Sequence, residues 1–277
     1  MKDDRIYEQM TGHARSMSLN TLIEVSKSIC KIIKEGSQGT GFFLEFEVKN
    51  NCKYYFLVTA NHVIDSSYAN EKKCIEIILD NGNIKKEIKL DKKDKRIYLF
   101  LQNRDITAIQ ILEKDDLKDK IKYLKYDSEC DYSNYGNYLN IDAFIMHHPN
   151  GEELKCNSGK IVMVREPQMF EFIHTLDTDE GSSGAPILSF EKLIEEPKVF
   201  GIHSSACIGD KKNIGIFINN LIESLNKEVS VEYFEDLGSD KNHNIFIPKG
   251  VNAVANTIYV GKGSTMVVNG TLTIGGP

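Results

Sequence analysis

The chain has 277 residues, 41% of them hydrophobic and 27% charged, with a net charge of −6 and a pI near 5.7. That length suffices for one large domain or two packed halves. The acidic balance argues against a nucleic-acid or anionic-membrane binder, and no run reaches the roughly 18 apolar residues of a membrane span.

In chain order, residues 1–24 are polar and run into a short helix at 19–26, with no evident chemistry. From 25 to about 125 the pattern is of strands and turns. Gly39-Thr40-Gly41-Phe42-Phe43 lies on an early strand, and the β-rich run from Tyr54 ends in a small-residue corner, Thr59-Ala60-Asn61-His62. Residues 73–79 and 84–90 read as strands around an Asn81-Gly82-Asn83 turn. The basic run Lys92-Lys93-Asp94-Lys95-Arg96, broken by an acid, reads as a solvated loop. Asp105 then opens an alternating apolar strand, Ile106-Thr107-Ala108-Ile109.

The second half starts near Tyr126. A strand at 143–147 leads into a Pro149-Asn150-Gly151 turn. His147 and His148 are adjacent on that strand and point to opposite faces, so they read as structural rather than as a metal pair. Residues 214–218 form the last strand and 219–228 a closing helix; 229–277 is a linker and tail. Within 251–277 the one charged side chain is Lys262. The tail segments are β-prone, and Asn269-Gly270 signals a hairpin. Low charge and high β-propensity mark segments that stack between chains. An extra hairpin packed on the barrel is the plainer reading; homo-oligomerisation or docking through 251–277 is the sharper one.

The chemistry centres on Gly181-Ser182-Ser183-Gly184-Ala185-Pro186. A glycine-flanked serine turn lets the Ser183 hydroxyl stand clear while the N–H groups of Gly181 and Ser183 aim at one developing oxyanion. A serine nucleophile needs a base, and the base needs an orienting acid. His62 supplies the first and Asp105 the second. Asp65 is a rival acid, but three residues after His62 it shares the local turn and does not reach the far side of the ring.

With His62, Asp105 and Ser183 in that order, the chain resembles the chymotrypsin-like (trypsin-fold) serine peptidases over roughly residues 25–228. The resemblance implies an all-β fold of two packed six-stranded antiparallel Greek-key barrels, at about 25–125 and 126–218, with a C-terminal helix. It implies a serine endopeptidase acting through an acyl-enzyme on a protein or peptide substrate, with no cofactor and no metal. It also implies pocket walls. Ser204 falls where the family hydrogen-bonds the triad aspartate. Asp177 has the spacing of a pocket-floor acid that favours P1 Arg or Lys. Thr178 and His203 instead resemble glutamyl endopeptidases and picornaviral proteases, which take P1 Glu or Gln. Ala206 replaces a family glycine and narrows the entrance, and Gly215 lies on the last wall. The P1 preference stays open between these readings. Ser182 stands where digestive-type members carry aspartate, so the activating salt bridge to a new N-terminus cannot form.

Six cysteines without a Cys-x-x-Cys pair, and an N-terminus without an apolar stretch, suggest reduced thiols in the cytoplasm. The Lys/Ile/Asn-rich composition suggests a bacterium. Two functions follow: a serine endopeptidase acting as a regulated bacterial effector, or a catalytically silent trypsin-fold module for binding or assembly. Retention of both Ser183 and His62 favours the first.

Overall fold

The computed structural model describes residues 18–48, 52–117, 120–189, 197–207 and 212–237, with four short strands between 245 and 274. Helix α1 (Leu19–Ser26) starts where Ser18 caps it, accepting from the Thr21 N–H. Seven strands follow: β1 (Ile29–Lys34), β2 (Ser37–Val48), β3 (Cys52–Thr59), β4 (Cys74–Leu79), β5 (Ile84–Lys89), β6 (Tyr98–Leu101) and β7 (Ile106–Gln110). They form one antiparallel sheet in the order β5-β4-β1-β2-β3-β7-β6. A short helix, α2 (Ser66–Asn70), follows the β3 corner.

The second sheet contains β8 (Lys125–Tyr126), β9 (Asp142–His147), β10 (Lys155–Val164), β11 (Glu171–His174), β12 (Pro186–Ser189), β13 (Lys198–Ala206) and β14 (Asn213–Phe217). Strand β12 pairs with both β9 and β13, which closes six antiparallel strands into a barrel. The short β8 adds to β13 in parallel. Just before it, Leu124 exchanges backbone hydrogen bonds with Phe43 and Glu45 of β2, so the connecting segment is stitched to both sheets. Two antiparallel sheets with few helices are the expected trypsin-like architecture. The first carries seven paired strands where six are expected, and its edge strands β5 and β6 do not pair with each other.

One hydrophobic cluster runs through both sheets, joining Phe42, Phe46 and Phe56 to Phe144, Phe172, Phe200 and Phe217. Helix α3 (Asn219–Leu237) closes the second barrel and extends beyond the expected 228. Leu221, Ile222, Leu225 and Val229 are buried, the stripe of a helix laid on a core. Among the described residues no helix is long and apolar enough to cross a membrane.

Two expectations need correction. Asn269-Gly270 lies outside the described residues, and the strands beside it do not form a hairpin. Strand β15 (Ile245–Ile247) pairs in parallel with β17 (Met266–Val268), and β16 (Asn252–Ala255) in parallel with β18 (Thr271–Ile274). Arg96 also leaves its basic run. Its side chain is fully buried, and its Nη1 and Nη2 donate to Asp115 Oδ2 (2.7 Å) and Oδ1 (2.9 Å). Asp115 caps the turn after β7 by accepting the Leu112 N–H, which draws its partner inward. Replacing one member of a buried pair strands the other charge. Arg96→Met should lower unfolding free energy by about 3–5 kcal/mol in denaturant melts, and adding Asp115→Leu should recover most of that loss.

Candidate active site

The β3 corner is fixed from below. The N–H groups of Val63 and Ile64 both donate to Ala60 O. Asn61 Nδ2 donates to Thr107 Oγ1 (2.9 Å), and that hydroxyl donates to Ile64 O (2.6 Å), tying the corner to β7. His62 is left at the top with its side chain 51% exposed. Asp65 is occupied elsewhere: it caps α2, accepting from Ser67 N (2.8 Å) and Oγ (2.5 Å).

Asp105 ends a single 3₁₀ turn in the left-handed region, φ 51°, a conformation aspartate tolerates better than most residues. That geometry turns its carboxylate to the corner. Oδ1 accepts the His62 backbone N–H at 2.9 Å, and both oxygens lie 2.9 Å from His62 Nδ1. Ser204 Oγ donates to Oδ2 at 2.5 Å. Burial alone would raise this carboxyl, but the hydrogen bonds from His62 and Ser204 outweigh it and hold the group below its ordinary value. With the Nδ1 proton directed at the carboxylate, Nε2 keeps its lone pair.

Ser183 is half-buried, and its hydroxyl donates to Ser204 O at 3.1 Å rather than to His62. Around it every carbonyl of the turn is held. Glu180 O accepts from Asn150 N (2.5 Å), Gly181 O from Thr40 Oγ1 (2.8 Å), Ser182 O from Ala185 N (3.1 Å) and Ser183 O from Thr40 N (3.0 Å). The N–H groups of Gly181 and Ser183 donate to nothing among the described residues. Gly184, at φ 89°, is required, because a Cβ there would sit 2.2 Å from Thr59 Oγ1 and 2.3 Å from Thr40 O.

The trypsin-like peptidase domain model matches residues 39–193, more than half of the chain. The chain belongs to that family. The matched stretch contains His62, Asp105 and Ser183. Solved structures resemble it at low identity. The Rv3671c protease of M. tuberculosis, in an inactive form, has a TM-score of 0.52 at 14% identity over 75% of this chain and 91% of that one. The serine endoprotease from Yersinia pestis gives 0.52 at 13%, over 77% and 68%. Deg5 gives 0.50 at 15%, over 75% and 92%. At such identities the likeness is one of fold. No curated protein sequence matches the chain.

In this trypsin-like peptidase domain the expected pocket residues scatter. Asp177 is exposed, not a buried floor, and its backbone carbonyl accepts from Asn157 Nδ2 (3.0 Å). Thr178 is half-buried and Ala206 exposed. His203 is 3% exposed, with Nδ1 3.2 Å from Nε2 of the equally buried His174. Gly215 packs under Phe172, where a Cβ would lie 2.3 Å from the ring. His147 and His148 are both buried; Nδ1 of the first meets Ser182 Oγ (2.7 Å), and Nδ1 of the second meets Glu152 O (2.9 Å). Among the described residues no cluster could hold a metal ion. Asn157 and His174, and the contacts of Thr40 and Asn150, escaped the sequence reading because each acts through a partner distant in the chain.

Burial pushes His147 down to about 4 and His174 down to about 3, and it lowers His148 and His203 as well. A group whose folded value lies below its unfolded one, near 6.5, binds fewer protons when folded. Its contribution to stability is complete above about 6.5 and is lost as pH falls toward about 4 for His147. Asp105, held below 3.8, stays ionised through that window. Unfolding free energy should therefore fall below about pH 6.5, with a slope that approaches about 1.4 kcal/mol per pH unit by pH 5 for each of His147 and His174. Denaturant melts across that range check the slope; a flat profile would contradict it.

Proposed function

We propose that the protein is a serine endopeptidase that works through an acyl-enzyme. The observation that carries the reading is the His62–Asp105 pair, locked by Ser204, beside a serine turn whose two free N–H groups flank the nucleophile. Catalytic hydrogen bonds are often unmade before substrate arrives, so the Ser183 hydroxyl resting on Ser204 O is compatible with the role. A rotation about its Cα–Cβ bond releases that bond and brings Oγ toward His62 Nε2. Ser183 then attacks the scissile carbonyl, and His62 takes the proton and passes it to the leaving amine. Asp105 fixes the tautomer and stabilises the imidazolium. The N–H groups of Gly181 and Ser183 receive the oxyanion, in place from the start because the turn's carbonyls are already held. Water, deprotonated by His62, releases the acyl group.

For P1, the exposure of Asp177 weighs against the buried carboxylate of an Arg or Lys reading. Thr178 and the neutral His203 support Glu or Gln. The setting in a bacterial cytoplasm, as a regulated effector, rests on composition and belongs to the same proposal. For assembly, the parallel pairs β15–β17 and β16–β18 support homo-oligomerisation through 251–277. Each sheet has two strands, so each has outer edges of the kind that the chain already pairs within itself.

A fluorophosphonate probe should label the unmutated protein and not Ser183→Ala. The variant should lose on the order of 10⁴–10⁶ in kcat on a P1-scanning peptide library while keeping its fold. Turnover there should concentrate after Glu or Gln. An unlabelled, inactive wild type would favour the silent binding module instead. Deleting 251–277 should shrink the particle in gel filtration with light scattering; an unchanged stoichiometry would remove assembly by the tail.

A further inference from the structure

The residue before the nucleophile, Ser182, is fully buried and uncharged. Its backbone N–H donates to Asp179 O (3.1 Å), and its Oγ accepts the Asp179 N–H in return (3.1 Å). The same Oγ lies 2.7 Å from Nδ1 of His147, at the end of β9 and with no exposure to solvent. On the other side of that ring, Nε2 faces Asn157 Nδ2 at 3.3 Å. The Asn157 amide is oriented by a second bond, to Asp177 O at 3.0 Å, so it presents N–H to the imidazole. Nε2 must then be the acceptor, and the ring proton sits on Nδ1, directed at Ser182 Oγ. Ser182 thus receives two N–H donors on its two lone pairs. Gly181 is pinned from both ends, by Ser182 after it and by Asn150, which holds the Glu180 carbonyl before it.

We propose that His147 is a positioning residue: as a neutral imidazole protonated on Nδ1, it anchors Ser182 and thereby aims the N–H groups of Gly181 and Ser183 at the reacting carbonyl. The inference rests on the peptidase reading and deepens it. A neutral hydrogen-bonded pair needs no newly cut N-terminus, so the oxyanion turn is set as soon as the chain folds. Burial keeps the ring neutral at ordinary pH, as the arrangement requires. Asn157, half-buried on β10, is the second part of the device, because it selects the tautomer.

The test is steady-state kinetics and fluorophosphonate acylation of full-length wild type, His147→Phe, His147→Asn and Ser182→Ala, with crystal structures of wild type and Ser182→Ala. Losing one oxyanion donor costs about 10²–10³ in kcat. His147→Phe and Ser182→Ala should each lower kcat by about 10- to 100-fold with KM within about 2-fold, and the double variant should be no worse than either. His147→Asn should recover most of the loss, since its amide N–H reaches the Nδ1 position. Unchanged kcat in Ser182→Ala, or equal losses in the Asn and Phe variants, would overturn the proposal. The structures keep the two readings apart. An inactive wild type refutes proteolysis, and the anchor is then judged by whether the 181–183 peptides reorient in Ser182→Ala; an unchanged turn overturns it.

Discussion

Thr40 is the point on which the site depends. It is fully buried on β2 in the first sheet, and all three of its polar groups are committed, its N–H and hydroxyl across the junction between the sheets. Its N–H donates to Ser183 O; its hydroxyl donates to Gly181 O and accepts the His148 N–H; its carbonyl accepts from Thr59 Oγ1. One side chain therefore joins the first sheet, the nucleophile turn and the end of β9. An unpaired buried polar group costs about 1–3 kcal/mol, so displacing the turn would orphan several groups at once. That makes the turn a two-sided clamp rather than a free loop. It also explains the glycines: Gly184 passes so close to Thr40 and Thr59 that any side chain would force the clamp open.

The electrostatics follow from that rigidity. Asp105 accepts a backbone N–H, a ring N–H and a hydroxyl, so the carboxylate stays ionised despite its burial. For the four buried histidines burial outweighs whatever favours the charged form, and it drives them toward neutrality. The site thus has one buried, hydrogen-bonded carboxylate beneath an exposed imidazole, with neutral buried histidines nearby. This arrangement suits a transition state in which a positive charge develops on His62 and a negative one on the substrate oxygen.

Much of this was legible in the sequence because local rules carry it. Thr59-Ala60-Asn61-His62 after a β-rich run, Asp105 before an alternating strand, and glycines around Ser183 each state a local conformation. Separated motifs that agree in order restrict the fold. Helix α1 and the turn at 80–82 were readable for the same reason. The rest depends on contacts between distant segments. Nothing near Arg96 says that Asp115 will draw it inward, and nothing near His147 says that Ser182 faces it. The tail differs for a related reason: Asn269-Gly270 is a local hairpin signal, whereas β17 and β18 each pair in parallel with an earlier strand, a long-range partner that turn chemistry does not announce.

On the peptidase reading, the resting position of Ser183 bears on control. Ser204 serves two groups at once, donating from Oγ to Asp105 and accepting the Ser183 hydroxyl at its carbonyl. Strand β13 bulges between His203 and Ser205, which lets its side chain and carbonyl both reach the site. On the peptidase reading, engaging His62 first requires the Ser183 hydroxyl to leave Ser204 O, a hydrogen bond worth about 1 kcal/mol. Thr40, Asn150 and Ser182 already fix the turn. A device that regulates this protein by unfolding the oxyanion turn would have to break those bonds together. On the same reading, arrival of substrate has only to draw the Ser183 hydroxyl off one carbonyl. The physical cost of control therefore falls outside the turn, on what reaches the cleft.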